Sequence, residues 1–243
     1  MSSGLASVKP DAPLYRLGRQ PDPWAWPDWA YAGPDGTFGN RYDDPEASYR
    51  VLYASSQRIG TFLETLARFR PDLEVLAELE EIEGDDEPPP GVPRAWLETR
   101  MVGEATLEGQ FVDIGDAHSL ATLRTALAAS AIHYGLDEID AATIRLKAPR
   151  AFTQSVSRFV YEQRDDQGAF AGIRYRSRLG DEIINWAVFE PAPNAPSPFL
   201  AATSSTIEAD DADLRRALDL LGLALVSLPS PSLPSRAKRS SAS

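Results

Sequence analysis

The chain has no cysteine, and its 243 residues include only two histidines, His118 and His133. Disulfide scaffolds and thiolate metal sites are therefore excluded. Neither histidine stands in an HExxH or HxH spacing, so no metal is expected. Basic residues are also scarce: 24 against 36 acidic ones leave a net charge of −12. That balance argues against direct nucleic-acid binding or attachment to anionic lipid, and it requires any bound anion to be held by a local cluster of cations. No apolar run is long enough to cross a bilayer, and MSSGLASVKPDAP at the start lacks the apolar stretch of a secretory signal; no membrane contact and a cytoplasmic location are expected. The glycine signatures of the Rossmann and P-loop nucleotide sites are missing too.

What is present suffices for a sizeable core, with 43% hydrophobic residues. Residues 1–12 and the tail 229–243 are rich in Ser, Pro and Ala and are expected to be mobile, leaving one domain over 13–228. Within it, the acidic, proline-rich stretch 83–92 reads as an exposed loop rather than a boundary. SYRVLYAS (48–55) reads as a strand. After it Ile59, Phe62, Leu63, Leu66 and Phe69 recur at helical spacing, with Ser55 or Ser56 as the cap. A second helix follows over 72–82. AWLETRMV and ATLEGQFVDI read as strands, and 119–136 as one long helix ending at Gly135. A helix over 153–163, two strands within 172–190, a strand over 199–207, a helix over 211–221 and a short strand in LALVSL complete the order. This mixture predicts an α+β fold whose central, mostly antiparallel sheet is flanked by helices.

The segment GIRYRSRLGDEIINWAVFE (172–190) sets three arginines against a period of two. Ile173, Tyr175 and Ser177 fall on one face of the strand, and Arg174, Arg176 and Arg178 on the other. The arginine side reads as a charged outer face. Glu64 lies on the helix that follows the 48–55 strand, spaced to pair with Arg68 on the surface, while Tyr53 ends that strand and can share a cleft with Glu64. Arg16 in LYRLGR and Arg41 in FGNRYDDP are further cationic candidates. Trp24, Trp26 and Trp29 either cover a cleft or pack on the body of the fold. His118 and His133, near helix ends, read as capping or packing residues.

In combination, LYR (14–16), FGNRY (38–42), LYAS (52–55) with Glu64, IRYRSR (173–178) and NWAVFE (185–190) keep the order of motifs in the RES domain family, which the chain resembles across residues 14–190. That family is named for an Arg, a Glu and a Ser. The resemblance implies a fold similar to the ADP-ribosyltransferases and an activity on NAD. Members act as toxins that degrade NAD by phosphorolysis or hydrolysis, held by an antitoxin with an Xre-like DNA-binding region. Carried over by motif, the catalytic residues are Arg16, Glu64 and Ser177, with Arg41 and Tyr53 binding substrate. Leu17 and Tyr42 depart from the usual aromatic pattern of the family. The residue types suit the chemistry: a carboxylate for an oxocarbenium-like state, arginine forks for pyrophosphate, an aromatic face for nicotinamide. NAD is then the substrate, phosphate a candidate co-substrate, and no cofactor is required. Transfer of ADP-ribose to a protein is the alternative reaction, and a non-catalytic nucleotide- or partner-binding module the alternative class.

Overall fold

The computed structural model describes residues 4–73 and 91–227. Nearly all of the helix expected over 72–82, nearly all of the loop over 83–92 and the tail 229–243 lie outside the described residues. Twelve strands are described: β1 (Ser7–Val8), β2 (Leu14–Arg19), β3 (Val51–Ser55), β4 (Gly91–Pro93), β5 (Arg100–Leu107), β6 (Phe111–Asp113), β7 (Arg164–Asp165), β8 (Gly168–Ala169), β9 (Gly172–Arg176), β10 (Ile184–Phe189), β11 (Phe199–Thr206) and β12 (Ala224–Val226). The α-helices are α1 (Arg58–Leu66), α2 (Arg94–Glu98), α3 (Ala117–Ala126), α4 (Ala128–His133), α5 (Arg150–Glu162) and α6 (Ala212–Leu221).

Eight strands form one sheet in the order β1-β6-β9-β10-β3-β2-β5-β11. The α+β class is as expected, but the sheet is mixed rather than mostly antiparallel. β6 runs parallel to β9, and β12 runs parallel to β4 in a separate pair. A parallel pair needs a long crossover; here the chain between β6 and β9 carries α3, α4 and α5. β1 pairs with β6, and Leu5 is buried, so the segment 1–12 expected to be mobile includes an edge strand of the sheet.

Period-two side chains divide the core between the two faces of the sheet. Val51, Ala187, Phe189 and Ile173 pack with Tyr42, Phe152, Val156 and Val160 under α5. Leu52, Ala54, Trp186 and Val188 face the other way, toward Leu14, Trp24, Phe111 and Phe199. A third cluster joins Phe62, Leu63 and Leu66 of α1 to Leu214, Ala217, Leu218 and Leu221 of α6. Each of those large side chains contributes about 1.5–3 kcal/mol by leaving water. α6 begins at Asp211, whose side chain accepts from the Asp213 and Leu214 N–H groups, and ends at Gly222 in the left-handed conformation. Arg58 ties the two helices through Asp211 and Asp213.

Three local expectations are corrected. AWLETRMV is not a strand throughout: Arg94–Glu98 is a helical turn, in which the adjacent Trp96 and Leu97 are both buried. The expected long helix is two, α3 and α4, separated at Leu127; Asp116 caps the first by accepting from the His118 N–H. α1 is preceded by Gln57 without a side-chain cap, because both expected serines are engaged with β10. Ser55 Oγ donates to the Ile184 carbonyl at 3.1 Å, and Ser56 Oγ accepts from Trp186 Nε1 at 2.9 Å. Gly60 lets α1 sit this close, since a Cβ there would lie 2.3 Å from Ser55 Oγ.

Candidate active site

Sheet pairing sets the floor of the site. In β10, Asn185 lies opposite Tyr175 of β9 on one side and Ser55 of β3 on the other. Tyr53, two residues before Ser55, points to the same face. α1 follows β3 after a short connection and brings Glu64 over this floor, where Asn185 Nδ2 donates to Glu64 Oε1 at 2.7 Å. The two residues are 121 positions apart in the chain. Asn185 is buried while the Glu64 side chain remains open to the cavity.

The cavity has a volume of about 490 Å³ and is lined by Arg16, Asn40, Arg41, Tyr53, Ser55, Thr61, Glu64, Thr65, Arg145, Arg150, Thr153, Tyr175, Arg178 and Asn185, among others. Among these lining residues Glu64 is the one carboxylate, facing five arginines. In a chain of net charge −12, this is the local cation cluster that an anionic ligand requires.

Arg16 reaches the cavity from β2. Its Nε donates to the Pro23 carbonyl and its Nη1 to the Tyr53 carbonyl, both at 2.7 Å, which fixes the guanidinium plane and leaves the Nη2 donors for a ligand. Burial lowers its pKa to about 10, against the opposing pull of Tyr53 and Asp22, so it is a cation at neutral pH. Arg41 Nη2 donates to the Ile144 carbonyl, and its guanidinium lies 5.2 Å from the Tyr42 ring centre and 5.8 Å from that of Tyr175. Weakly hydrated and planar, guanidinium suits such an aromatic cradle.

Tyr53 is anchored by its hydroxyl, which donates to Asp43 Oδ1 at 2.8 Å and accepts from the Tyr42 N–H at 2.9 Å. Asp43 Oδ2 also accepts from the Asn40 backbone N–H and Nδ2. Burial raises the Asp43 pKa, opposed by these donors, and burial followed by the Asp43 charge holds the Tyr53 hydroxyl protonated well above its ordinary range. The hydroxyl is thus committed to the wall, and the ring is the part that faces the cavity. Thr153 of α5 closes the network by donating to the Arg41 carbonyl at 2.6 Å.

Of the five residues expected from sequence, Arg16, Arg41, Tyr53 and Glu64 converge on this cavity, and Ser177 does not line it. Strand β9 ends at Arg176. Ser177 is completely buried in the following turn, where its N–H donates to the Ile183 carbonyl and its Oγ accepts from the Leu179 N–H, each at 2.9 Å. Because the alternation stops there, Arg178 turns inward to the cavity although its strand pattern assigned it to the outer face. Arg174 and Arg176 keep to the outer pattern, the first paired with Asp113 and the second donating to the Asp181 carbonyl. The tryptophans lie away from the cavity: Trp24 and Trp26 pack on Phe199, and Trp29 on Phe38.

Sequence reasoning missed Asn185, Arg145, Arg150 and Arg178. Only Asn185 carried a local signal, as a polar residue on a strand otherwise buried on both faces. Among the described residues, no cluster of three or more acidic or histidine side chains is placed to hold a metal, and no helix is long and apolar enough to cross a membrane. No curated protein matches the chain. The family model of the RES domain, however, matches residues 13–206, a span that holds every residue of the cavity, and the chain belongs to the RES domain family.

Proposed function

We propose that the protein consumes NAD by cleaving the bond between nicotinamide and ribose, with water or phosphate as the acceptor. RES membership is consistent with an NAD-acting, toxin-like role. The observation that carries the specific reading is the single carboxylate, Glu64, held by Asn185 and facing five arginines. This charge arrangement suits a dinucleotide: the arginines complement the pyrophosphate, and the carboxylate complements the cation that forms at the sugar.

In the reaction, the C–N bond breaks with its electron pair going to the ring nitrogen, so nicotinamide leaves as a neutral base. The ribosyl cation is then captured by water, with loss of a proton, or by an oxygen of phosphate. A carboxylate about 4 Å from that cation contributes about 4 kcal/mol at an effective dielectric of about 20. That corresponds to about 10³ in rate. The Tyr53 and Tyr175 rings offer flat surfaces for the nicotinamide ring. This chemistry also accords with the ADP-ribosyltransferase-like architecture expected from the family, and it leaves an Xre-like protein as the candidate antitoxin.

The test is incubation of the purified full chain with NAD, with and without phosphate, followed by chromatography of nicotinamide and the ADP-ribosyl product. Nicotinamide release is expected, with Glu64→Gln slower by about 10³. Absence of release under both conditions refutes the reading. Isotopically labelled NAD distinguishes the acceptor, since label recovered on protein identifies transfer instead of small-molecule products.

A further inference from the structure

Three arginines outside the cavity stand together without an acidic partner among the described residues. Arg19 of β2 and Arg100 of β5 are directly opposite each other in the strand pairing, so both side chains rise from the same face of the sheet. Arg68, in the 3-10 turn Ala67–Phe69 that follows α1, joins them. Burial, and then the charges of Arg68 and Arg19, hold the Arg100 guanidinium below its ordinary pKa. Among the described residues, none of the ion pairs includes any of the three. Arg19 and Arg68 are exposed and Arg100 is half-buried.

The group rests on an aromatic base. The Arg100 guanidinium lies 4.5 Å from the Trp96 ring centre, and its Nη1 donates to Thr99 Oγ1 at 2.8 Å. Trp96 meets Phe69 edge-on at 6.2 Å, and the Arg68 guanidinium lies 5.0 Å from the Phe69 centre. Arg68 is spaced to pair with Glu64 but does not, because the Glu64 carboxylate is held by Asn185. Like charges directly opposite across two strands are destabilising, and folds keep such local conflicts where a site needs them. The group also borders the cavity. Leu17 and Thr65 line it, with Arg19 two residues farther along β2 and Arg68 three residues beyond Thr65.

We propose that Arg19, Arg68 and Arg100 form a docking surface at the rim of the cavity for an acidic, extended segment of a partner protein. Guanidinium forks bond carboxylates bidentately, and an extended peptide presents side chains on one face about 6.8 Å apart, a spacing that engages neighbouring arginines one by one. Arginine beside aromatic rings is also the composition of energetically dominant contacts between proteins. A nucleic-acid strand fits less well: it carries a charge at every residue and, beyond these three cations, meets the field of a chain of net charge −12. Occupancy of this surface is independent of which reaction the cavity performs.

The test is fluorescence anisotropy on the full chain with labelled octaglutamate at low salt, with octaglutamine as the uncharged control. Octaglutamate is expected to bind saturably, octaglutamine not at all, and about 1 M salt should abolish binding. The double variant Arg19→Gln/Arg68→Gln, which leaves Arg100 stacked on Trp96, should weaken the peptide by about fivefold or more. Arg100→Gln should weaken it by about threefold or more. Because the double variant removes the repulsion around Arg100, it should melt no lower than the wild type. Failure of octaglutamate to bind the wild type, equal affinity in the variants, or a double variant that melts well below the wild type overturns the proposal. So does tighter binding of a labelled eight-residue oligothymidylate, which would make the surface a nucleic-acid site. Binding that appears only once Glu83, Asp85, Asp86 and Glu87 are replaced by their amides would assign the surface to the chain's own acidic stretch, and overturns it too.

Discussion

Removing Asn185 tests the site at its most specific contact. Asn185 is 2% exposed and is held between Ser55 and Tyr175 by the pairing of three strands, so its amide cannot move to follow a displaced partner. It donates to Glu64 Oε1 at 2.7 Å, and Glu64 is otherwise open to the cavity. Asn185→Ala therefore frees the carboxylate to turn away from the reacting sugar. A hydrogen bond to a charged group is worth about 1.5–3 kcal/mol. If that orientation is used in full at the transition state, kcat for nicotinamide release falls by about 10- to 150-fold. KM for NAD changes much less, because the arginines that complement the pyrophosphate are untouched. The assay is steady-state release of nicotinamide by Asn185→Ala, Glu64→Ala and the double variant. Since Asn185 acts through Glu64, its removal should cost nothing further once Glu64 is Ala. Unchanged kcat in Asn185→Ala, or losses that multiply fully in the double variant, refute the reasoning.

Ser177→Ala separates a structural role from a catalytic one: losing the acceptor for the Leu179 N–H should cost about 1–3 kcal/mol in chemical denaturation, with only a small change in kcat. A hundredfold loss of kcat at unchanged stability would instead restore Ser177 to the reaction. The Arg50–Glu190 pair makes a prediction about acid. Hydrogen bonding from Arg50 holds the Glu190 carboxyl below its ordinary value of 4.5, against the opposing effect of burial. Its contribution is therefore present above that pH and lost as pH falls through the lower folded-state value. Thermal melts should show Glu190→Gln less stable than the wild type at neutral pH, with the gap closing below pH 4.5; a gap independent of pH refutes the linkage.

Much of the local structure was legible because its signals are short-range. Ile59, Phe62, Leu63 and Leu66 could share a face only in a helix, and α1 forms there. Alternation placed Ile173 and Tyr175 on the inner side of β9, where both now pack with Tyr42. The same rule failed at Ser177 and Arg178, because the strand stops at Arg176 and a turn has no period of two. It failed also at Arg94–Glu98, a helical turn that buries the neighbouring Trp96 and Leu97. The two serines before α1 had the right chemistry for caps, yet both hydroxyls bond to β10 and the helix starts at Arg58, with Gln57 in the cap position.

By itself, the sequence determined the mixed α+β class, the absence of thiolate chemistry and the four side chains Arg16, Arg41, Tyr53 and Glu64 that meet in one cavity. Only the tertiary structure decided that β6 lies parallel to β9, that Asn185 holds Glu64, and that Arg145 and Arg150 join the wall. The physical reason is distance along the chain. Periodicity and capping act over a few residues, whereas the partner of Glu64 lies 121 residues away and becomes its neighbour only when β10 pairs with β3.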